Sequence, residues 1–163
     1  MKVLTIQQPW ASLVAHGHKK IETRSWNAKY RGELLIHAGA KKIRLQDGMY
    51  DLIDHMERIG FMKDFDKLPY GAIIGKVNLV DVIPTGNIRT NYAECVFEYN
   101  LYEQAQNKNQ IFMINPTEKA FGDYSPNRFG WLLSDPVLFD VPIPCKGQLS
   151  LWNFDIEPNI STQ

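Results

Sequence analysis

The stretch from residue 8 to residue 26 constrains the fold most strongly, because it calls for a helix, a corner and a strand in direct succession. Pro9 suits the first turn of a helix, where its fixed φ is already helical and its missing N–H would be unpaired anyway. An apolar stripe at the spacing of one helical face follows, formed by Trp10, Leu13 and Val14. Gly17 stands where a left-handed residue would end the helix. The pattern therefore predicts a short helix that presents a surface and stops at Gly17.

The residues that follow Gly17 predict an extended segment with a polar face. Glu22, Arg24 and Trp26 are spaced two apart, so their side chains would share one face of a strand. Lys19 lies at the corner between the helix and this strand. An ammonium, a carboxylate, a guanidinium and an indole therefore converge within a few residues of a helix end. This combination predicts a site for a flat, hydrogen-bonding, negatively charged ligand.

The rest of the chain predicts strands and helices that do not alternate regularly. Strands are predicted over 1–6, 31–38, 72–83, 129–133 and 147–154, and helices over 44–59 and 91–106. Gly75 predicts a bulge or a close backbone approach in the long strand, and the prolines between 136 and 144 predict an edge strand or extended cover. Residues 107–127 are interpreted as an irregular excursion. The order favours a single α+β domain over 1–163, with a curved, mixed or mostly antiparallel sheet and helical insertions.

The charges are distributed unevenly, although the 163 residues have a formal net charge of zero. Residues 1–46 contain nine Lys or Arg against two Asp or Glu, a formal charge of +7, so the remainder carries −7. Net neutrality argues against a protein that coats nucleic acid indiscriminately, whereas the asymmetry predicts a basic face aimed at an anionic partner. The alternative is that the two halves neutralise each other across the fold.

Several functional classes find no support in the sequence. No apolar run has the length of a membrane span, the first residues lack a secretory leader, and no phosphate-binding glycine loop occurs. Cys95 and Cys145 are far apart and in no metal or redox spacing, which favours two reduced thiols in a cytoplasmic protein. We therefore expect no metal site, no cofactor and no membrane partner.

Residues 17–24 also carry a family resemblance. They fit the G-x-K-x-x-E-x-R signature of the ASCH domain through Gly17, Lys19, Glu22 and Arg24. Further blocks that resemble the family lie in order at 30–38 with Lys41 and Lys42, at 70–75, at 125–131 and at 144–152. The eight-residue signature alone would be a weak indication, but the ordered blocks extend the resemblance over most of the chain.

The resemblance implies a fold and a range of functions. ASCH domains belong to the PUA-like folds, in which a short helix lies over a cleft in a small β-barrel. The resemblance implies binding of RNA, single-stranded nucleic acid or a modified nucleobase or nucleotide in that cleft. One branch of the family removes the acyl group of N4-acetylcytidine with a Lys, a Thr and a Glu. Lys19 matches that lysine, whereas Glu22 replaces the threonine, so Lys19 and Glu22 would be the catalytic residues if the chain were such an amidohydrolase or a ribonuclease. A third alternative is a module that docks an acidic protein partner.

The expected ligand-binding residues form two groups. One group lies on the signature and its flanks: Gln8, Trp10, Lys19, Glu22, Arg24 and Trp26. The other group is expected around it: Arg31, His37, Lys41, Lys42 and Arg128. Affinity would come from lysine and arginine contacts to phosphate, and selectivity from a stacked base whose edge is read by Glu22 and Gln8.

Six of these residues also have a structural interpretation, which the sequence leaves open. Lys19 could be solvated beside Lys20, and Glu22 and Arg24 could form a surface ion pair worth ~0–1 kcal/mol. Trp10 could be a core residue, Gln8 could cap the helix, and His37 could be a structural histidine.

Overall fold

The structure is a computed structural model that describes residues 1–46, 48–92, 104 and 111–155. Its strands are β1 (Lys2–Ile6), β2 (Ile21–Arg24), β3 (Gly32–Ala38), β4 (Ala72–Pro84), β5 (Ile88–Thr90), β6 (Phe112–Ile114), β7 (Phe129–Pro144) and β8 (Leu151–Asn153). Its α-helices are α1 (Trp10–Ala15), α2 (Tyr50–Arg58) and α3 (Pro116–Ala120), and two 3-10 helices span Phe61–Lys67 and Thr85–Asn87.

Six of these strands form one mixed sheet in the order β2-β7-β4-β3-β1-β8. β1 and β3 run parallel, while the other four neighbouring pairs run antiparallel. The sheet forms a half-barrel, and β5 and β6 make a separate parallel pair. The predicted α+β class with a curved, mostly antiparallel sheet is thus confirmed, whereas the single-domain organisation stays a prediction.

The two longest strands, β4 and β7, pair with several shifts of register. One shift lies at Gly75, where an added Cβ would stand 2.4 Å from the carbonyl oxygen of Val137. Only glycine allows this approach, so the predicted close contact is confirmed. Beyond Leu133, β7 pairs with β4 alone among the described strands. Its prolines therefore lie where the strand has a free edge, as expected.

Helix α1 packs against one face of the sheet and is more deeply buried than its single stripe predicts. Residues 11–15 are all buried, and only Trp10 of the helix is partly exposed. Ala11, Val14 and Ala15 join the main core cluster with residues of β1, β3, β4 and β7. Two of these three side chains are alanines, which are small enough for the helix to lie close to the sheet.

Three expectations about element boundaries are wrong. The helix predicted over 44–59 begins only at Tyr50, since Gly48 adopts a left-handed φ of +92° just before it. The described part of the supposed excursion, 111–127, contains β6 and α3, elements too short to show a periodicity. The last strand, predicted over 147–154, is limited to β8 because Ser150 has a φ of +58°.

Two expectations fall partly or wholly outside the described residues. The helix predicted over 91–106 lies mostly in the gaps of the description, as does Cys95. Cys145 is a free, partly buried thiol.

Candidate functional site

The corner after α1 has the geometry that the sequence predicts. Gly17 adopts a left-handed φ of +79°, and the N–H groups of His18 and Lys19 both donate to the carbonyl of Leu13. These bonds satisfy a carbonyl at the helix end and direct the chain into β2. β2 then pairs antiparallel with the first residues of β7, with Glu22 opposite Trp131. The signature therefore lies on a well-defined turn and not on a free loop.

Lys19, Glu22 and Arg24 form a buried ionic group. The Lys19 side chain is only 1% exposed, and its Nζ lies 3.6 Å from Glu22 Oε2 and donates to the carbonyl of Ile21. The other carboxylate oxygen of Glu22 lies 3.0 Å from Arg24 Nε. The alternative of a solvated Lys19 is wrong, because the side chain turns inward at the corner. Two cations thus orient the Glu22 carboxylate, whose side chain is 10% exposed.

Glu118, which the sequence analysis missed, completes this group from α3. Its carboxylate accepts hydrogen bonds from the N–H groups of Lys20 and Ile21 at 3.0 and 2.8 Å. Burial raises the pKa of Glu118, while the charge of Lys19 acts in the opposite direction. A signal existed in the sequence, since Asn115 stands three residues before Glu118 in the spacing of a helix cap. Asn115 Oδ1 indeed accepts from the Glu118 N–H at 2.8 Å.

Trp10 is among the residues that line three separate cavities, and we call their combined space the Trp10 cleft. The α2-side cavity, of 330 Å³, is lined by Trp10, Glu22, Thr23, Met49, Leu52 and Asp123, among others. The loop-side cavity, also of 330 Å³, is lined by Thr5, Trp10, Glu22, Arg24, Gln148, Leu149 and Ser150, among others. The basic cavity, of 440 Å³, is lined by Gln7, Gln8, Trp10, Lys41, Lys42 and Arg44, among others. Carboxylate, guanidinium, amide and ammonium groups thus surround one partly exposed indole.

The basic cavity carries the positive charge of the cleft. Lys41, Lys42 and Arg44 are exposed, and none of the ion pairs found in the described residues involves them. Their charges are therefore available to an anionic ligand. The sequence pattern does not indicate a binding role for Arg44, because it places this residue at the start of the predicted helix over 44–59.

Gln8 lies beside the basic cavity but is committed to the fold. It is 1% exposed, its Nε2 donates to Ser12 Oγ at 2.7 Å and to the Pro69 carbonyl at 2.8 Å, and its Oε1 accepts from the Ser12 N–H. Because donor and acceptor are both occupied, Gln8 acts as a cap of α1. The alternative interpretation of this residue is therefore correct.

Four other candidates lie outside the linings of these three cavities. Trp26 lies beyond the end of β2, its ring edge-to-face with Trp131 at 4.7 Å. Arg31 pairs with Asp81 at 2.9 Å on the sheet. His37 is buried in contact with Trp152, and Arg128 contacts the rim of the α2-side cavity through Asp123 at 3.3 Å. Trp26 and His37 thus pack against other aromatic side chains, and neither lines one of the three cavities.

Two features that would point to different chemistry are absent from the part of the chain that the structure describes. None of its helices combines the length and apolar character that would cross a bilayer. None of its His, Cys, Asp and Glu residues form a group of three or more arranged to hold a metal ion.

Comparison with known proteins identifies relatives over most of this chain. A family model, the ASCH domain, matches residues 4–121. Activating signal cointegrator 1 of Homo sapiens is 29% identical over 157 residues, which cover 93% of this chain and 22% of that protein. The same protein of Mus musculus is 27% identical with the same coverage, so the chain spans less than a quarter of the length of these relatives. The crystal structure of ASCH from Zymomonas mobilis is 12% identical and covers 94% of this chain and 87% of its own, with a TM-score of 0.47.

Proposed function

Because this chain belongs to the ASCH domain family, we propose that it binds single-stranded RNA, or a nucleotide-like part of one, in the Trp10 cleft. The observation that carries the proposal is the position of Trp10, which lines all three cavities and is only partly buried. Stacking of an unpaired base on an aromatic ring is worth ~1–3 kcal/mol and accepts every base. Single-stranded RNA offers such bases, whereas bases within a duplex are already stacked.

The charges of the basic cavity support an anionic partner. Lys41, Lys42 and Arg44 surround the side of the cleft that leads away from Glu22. Phosphate groups of a strand would lie against these cations while a base turns toward Trp10. Contacts of this kind supply affinity that depends strongly on salt and little on sequence.

The Glu22 carboxylate supports selectivity for bases that carry an amino group. Lys19 and Arg24 hold it in place, and it lines both the α2-side and loop-side cavities. A fixed carboxylate accepts a hydrogen bond from the exocyclic amine of cytosine but repels a carbonyl edge. We therefore propose that cytosine-containing strands bind better than uracil-containing strands.

The first test removes the charges of Lys41 and Lys42. We expect the Lys41→Ala/Lys42→Ala variant to bind a short single-stranded RNA more weakly, because two phosphate contacts are lost. Each phosphate contact of a single strand contributes about 0.7 to the slope of log affinity against log salt, so the slope should fall by about 1.4. Fluorescence anisotropy at several salt concentrations measures both quantities.

A matched control for this test is Lys29→Ala/Lys63→Ala. Both lysines are exposed and lie outside the three cavities, so this variant loses the same formal charge elsewhere on the surface. If both double variants changed affinity and salt slope equally, the basic cavity would have no special role. Binding insensitive to either change would contradict the proposed position of the phosphates.

The second test concerns base preference. We expect Glu22→Gln to lower the preference for oligocytidylate over oligouridylate by about tenfold, because the amide can turn its own donor toward the uracil carbonyl. Competition between the two oligomers on the folded variant measures the ratio directly. An unchanged ratio in a variant that still binds RNA would remove Glu22 from base recognition.

A hydrolase is the second candidate, which the burial of Lys19 between two carboxylates favours. Burial and the charges of Glu118 and Glu22 also raise the pKa of the nearby Tyr124 hydroxyl, so Tyr124 joins Lys19, Glu22 and Glu118 in a group of four titratable side chains at the cleft. Incubation with N4-acetylcytidine and with short RNAs separates the two functions. Release of acetate or of shorter RNA that Glu22→Gln abolishes would favour catalysis, whereas binding without product favours recognition.

A further inference from the structure

The chain between β7 and β8 forms a wall of the loop-side cavity, and we call residues 145–150 the cover loop. At its start, His37 Nε2 donates to the carbonyl of Cys145 at 3.1 Å, and burial lowers the pKa of His37, which keeps the ring neutral at neutral pH. Gly147 lies directly on this ring, since an added Cβ would stand 2.5 Å from His37 Cε1. Just beyond its end, Trp152 Nε1 donates to Thr5 Oγ1 at 3.1 Å. The cover loop is therefore anchored at both ends on β1 and β3.

The anchored cover loop presents a leucine to solvent. Leu149 is 93% exposed, more than any other large apolar side chain of the described residues. Ser150 beside it has a left-handed φ of +58°, a conformation that costs energy for a residue with a side chain. Leu149 does not share a face with Leu151, which is partly buried in β8. The exposure of the Leu149 side chain thus follows from the backbone conformation of the cover loop at Ser150.

The position of Leu149 suggests what could cover it. Leu149 lines the same cavity as Trp10, Glu22 and Arg24, so a residue with an exposed apolar side chain borders the same space as an indole and two charged residues. The cavity volume of 330 Å³ is at the lower end of the range for small-molecule sites, about 300–1,000 Å³. This chemistry suits a single flat ring with apolar faces and a hydrogen-bonding edge. Because the loop is already anchored, binding would require little additional ordering of it.

We infer that Trp10 and Leu149 are the two walls of a slot that holds one unstacked nucleobase in the loop-side cavity. The inference rests on the proposed function and assigns the base to one of the three cavities. The base lies between the indole and the isobutyl group, and its edge faces Glu22 and Arg24. The α2-side and basic cavities are then left for the neighbouring parts of the strand. Leu149 is therefore a positioning residue for the base and makes no contact with phosphate.

The test compares Leu149→Ala with Val141→Ala on two probes. Val141 is also highly exposed, at 77%, but lies outside the three cavities. The probes are a short oligocytidylate and an abasic strand of the same length. The abasic strand keeps the sugar–phosphate backbone and lacks the bases. We expect Leu149→Ala to bind oligocytidylate about tenfold more weakly, because apolar burial against the base is lost, and to bind the abasic strand with unchanged affinity. Val141→Ala should match the unaltered protein on both probes.

The outcomes separate the slot from the proposed function. If Leu149→Ala bound oligocytidylate as the unaltered protein does, or lost affinity for both probes alike, the slot would be wrong while RNA binding would stand. If the unaltered protein bound neither probe, both the proposed function and the slot would be overturned. Thermal unfolding serves as the control for folding, and the exposure of Leu149 predicts an unchanged midpoint for its alanine variant.

Discussion

Replacement of Lys19 by methionine is expected to lower the free energy of unfolding by about 3–5 kcal/mol, the usual cost of removing one partner of a buried ionic group. The ammonium is 1% exposed and lies 3.6 Å from the Glu22 carboxylate, and its charge also acts on the buried Glu118. Without it, two carboxylates beneath the cleft lose their shared counter-charge. Chemical denaturation of both proteins measures the difference.

The loss should depend on pH with a defined sign. Burial raises the pKa of Glu118 and Lys19 lowers it, so Lys19→Met should raise this pKa further. A carboxyl whose folded pKa lies above its unfolded value takes up a proton more readily in the native state. Its penalty is therefore present at neutral pH and is relieved as the pH falls toward the unfolded pKa. We expect the difference in unfolding free energy between the variant and the unaltered protein to shrink on acidification.

Two control variants distinguish charge compensation from simple packing. Lys29→Met removes an exposed lysine and should leave the unfolding free energy nearly unchanged. The double variant Lys19→Met/Glu118→Gln removes one of the uncompensated charges and should recover part of the loss at neutral pH. A deficit of the same size at every pH, unaffected by the second substitution, would show that Lys19 contributes packing and no counter-charge.

Replacement of Trp10 by alanine is expected to weaken RNA binding more than any other single change in the cleft. Trp10 lines all three cavities, and losing ~1–3 kcal/mol of stacking corresponds to a loss of affinity between about fivefold and about 150-fold. Trp10→Phe retains an aromatic face and should lose less. Titration with oligocytidylate under conditions where each variant is folded gives the comparison.

The control for the Trp10 variants must account for the second role of this residue. Trp10 packs against two core clusters, so its alanine variant will also be less stable. Trp26 is likewise partly buried against the core but lines none of the three cavities. Trp26→Ala should therefore lose stability while keeping its affinity for RNA. Equal losses of affinity in the two alanine variants would contradict a stacking role for Trp10.

The parts of the site that the sequence predicts are local ones. The helix, the left-handed Gly17 and the strand face of Glu22 and Arg24 follow from spacings of a few residues, and the structure confirms them. The basic pair of Lys41 and Lys42 could be placed near the cleft only through the family resemblance. Local pattern and resemblance together thus gave the main components of the site.

The parts that could not be predicted depend on contacts between distant segments. Glu118 reaches the backbone of Lys20 across 98 positions in the chain, and no short motif encodes such a pairing. The burial of Lys19 was equally hidden, because it depends on the packing of the folded chain and not on the local spacing of residues. The exposure of Leu149 could not be predicted either, because the two-residue spacing of Leu149 and Leu151 is typical of one strand face, whereas Ser150 between them has a left-handed φ. For Gln8 and His37 the sequence left two interpretations open, because it does not show that Gln8 also bonds the Pro69 carbonyl or that His37 bonds the Cys145 carbonyl.

The hydrogen bond between Arg24 and Thr5 links the chemistry of the cleft to the shape of the sheet. Arg24 belongs to β2 at one margin of the half-barrel, and Thr5 belongs to β1 near the opposite margin. Arg24 Nη2 donates to the Thr5 carbonyl at 2.7 Å, across the opening that the remaining strands curve around. The proposed binding site therefore contains a hydrogen bond that also joins the two margins of the half-barrel. If this hydrogen bond broke, the two margins of the sheet would lose a direct connection and Arg24 would lose its fixed position in the loop-side cavity. A change in the curvature of the sheet would therefore also be a change in the proposed binding site.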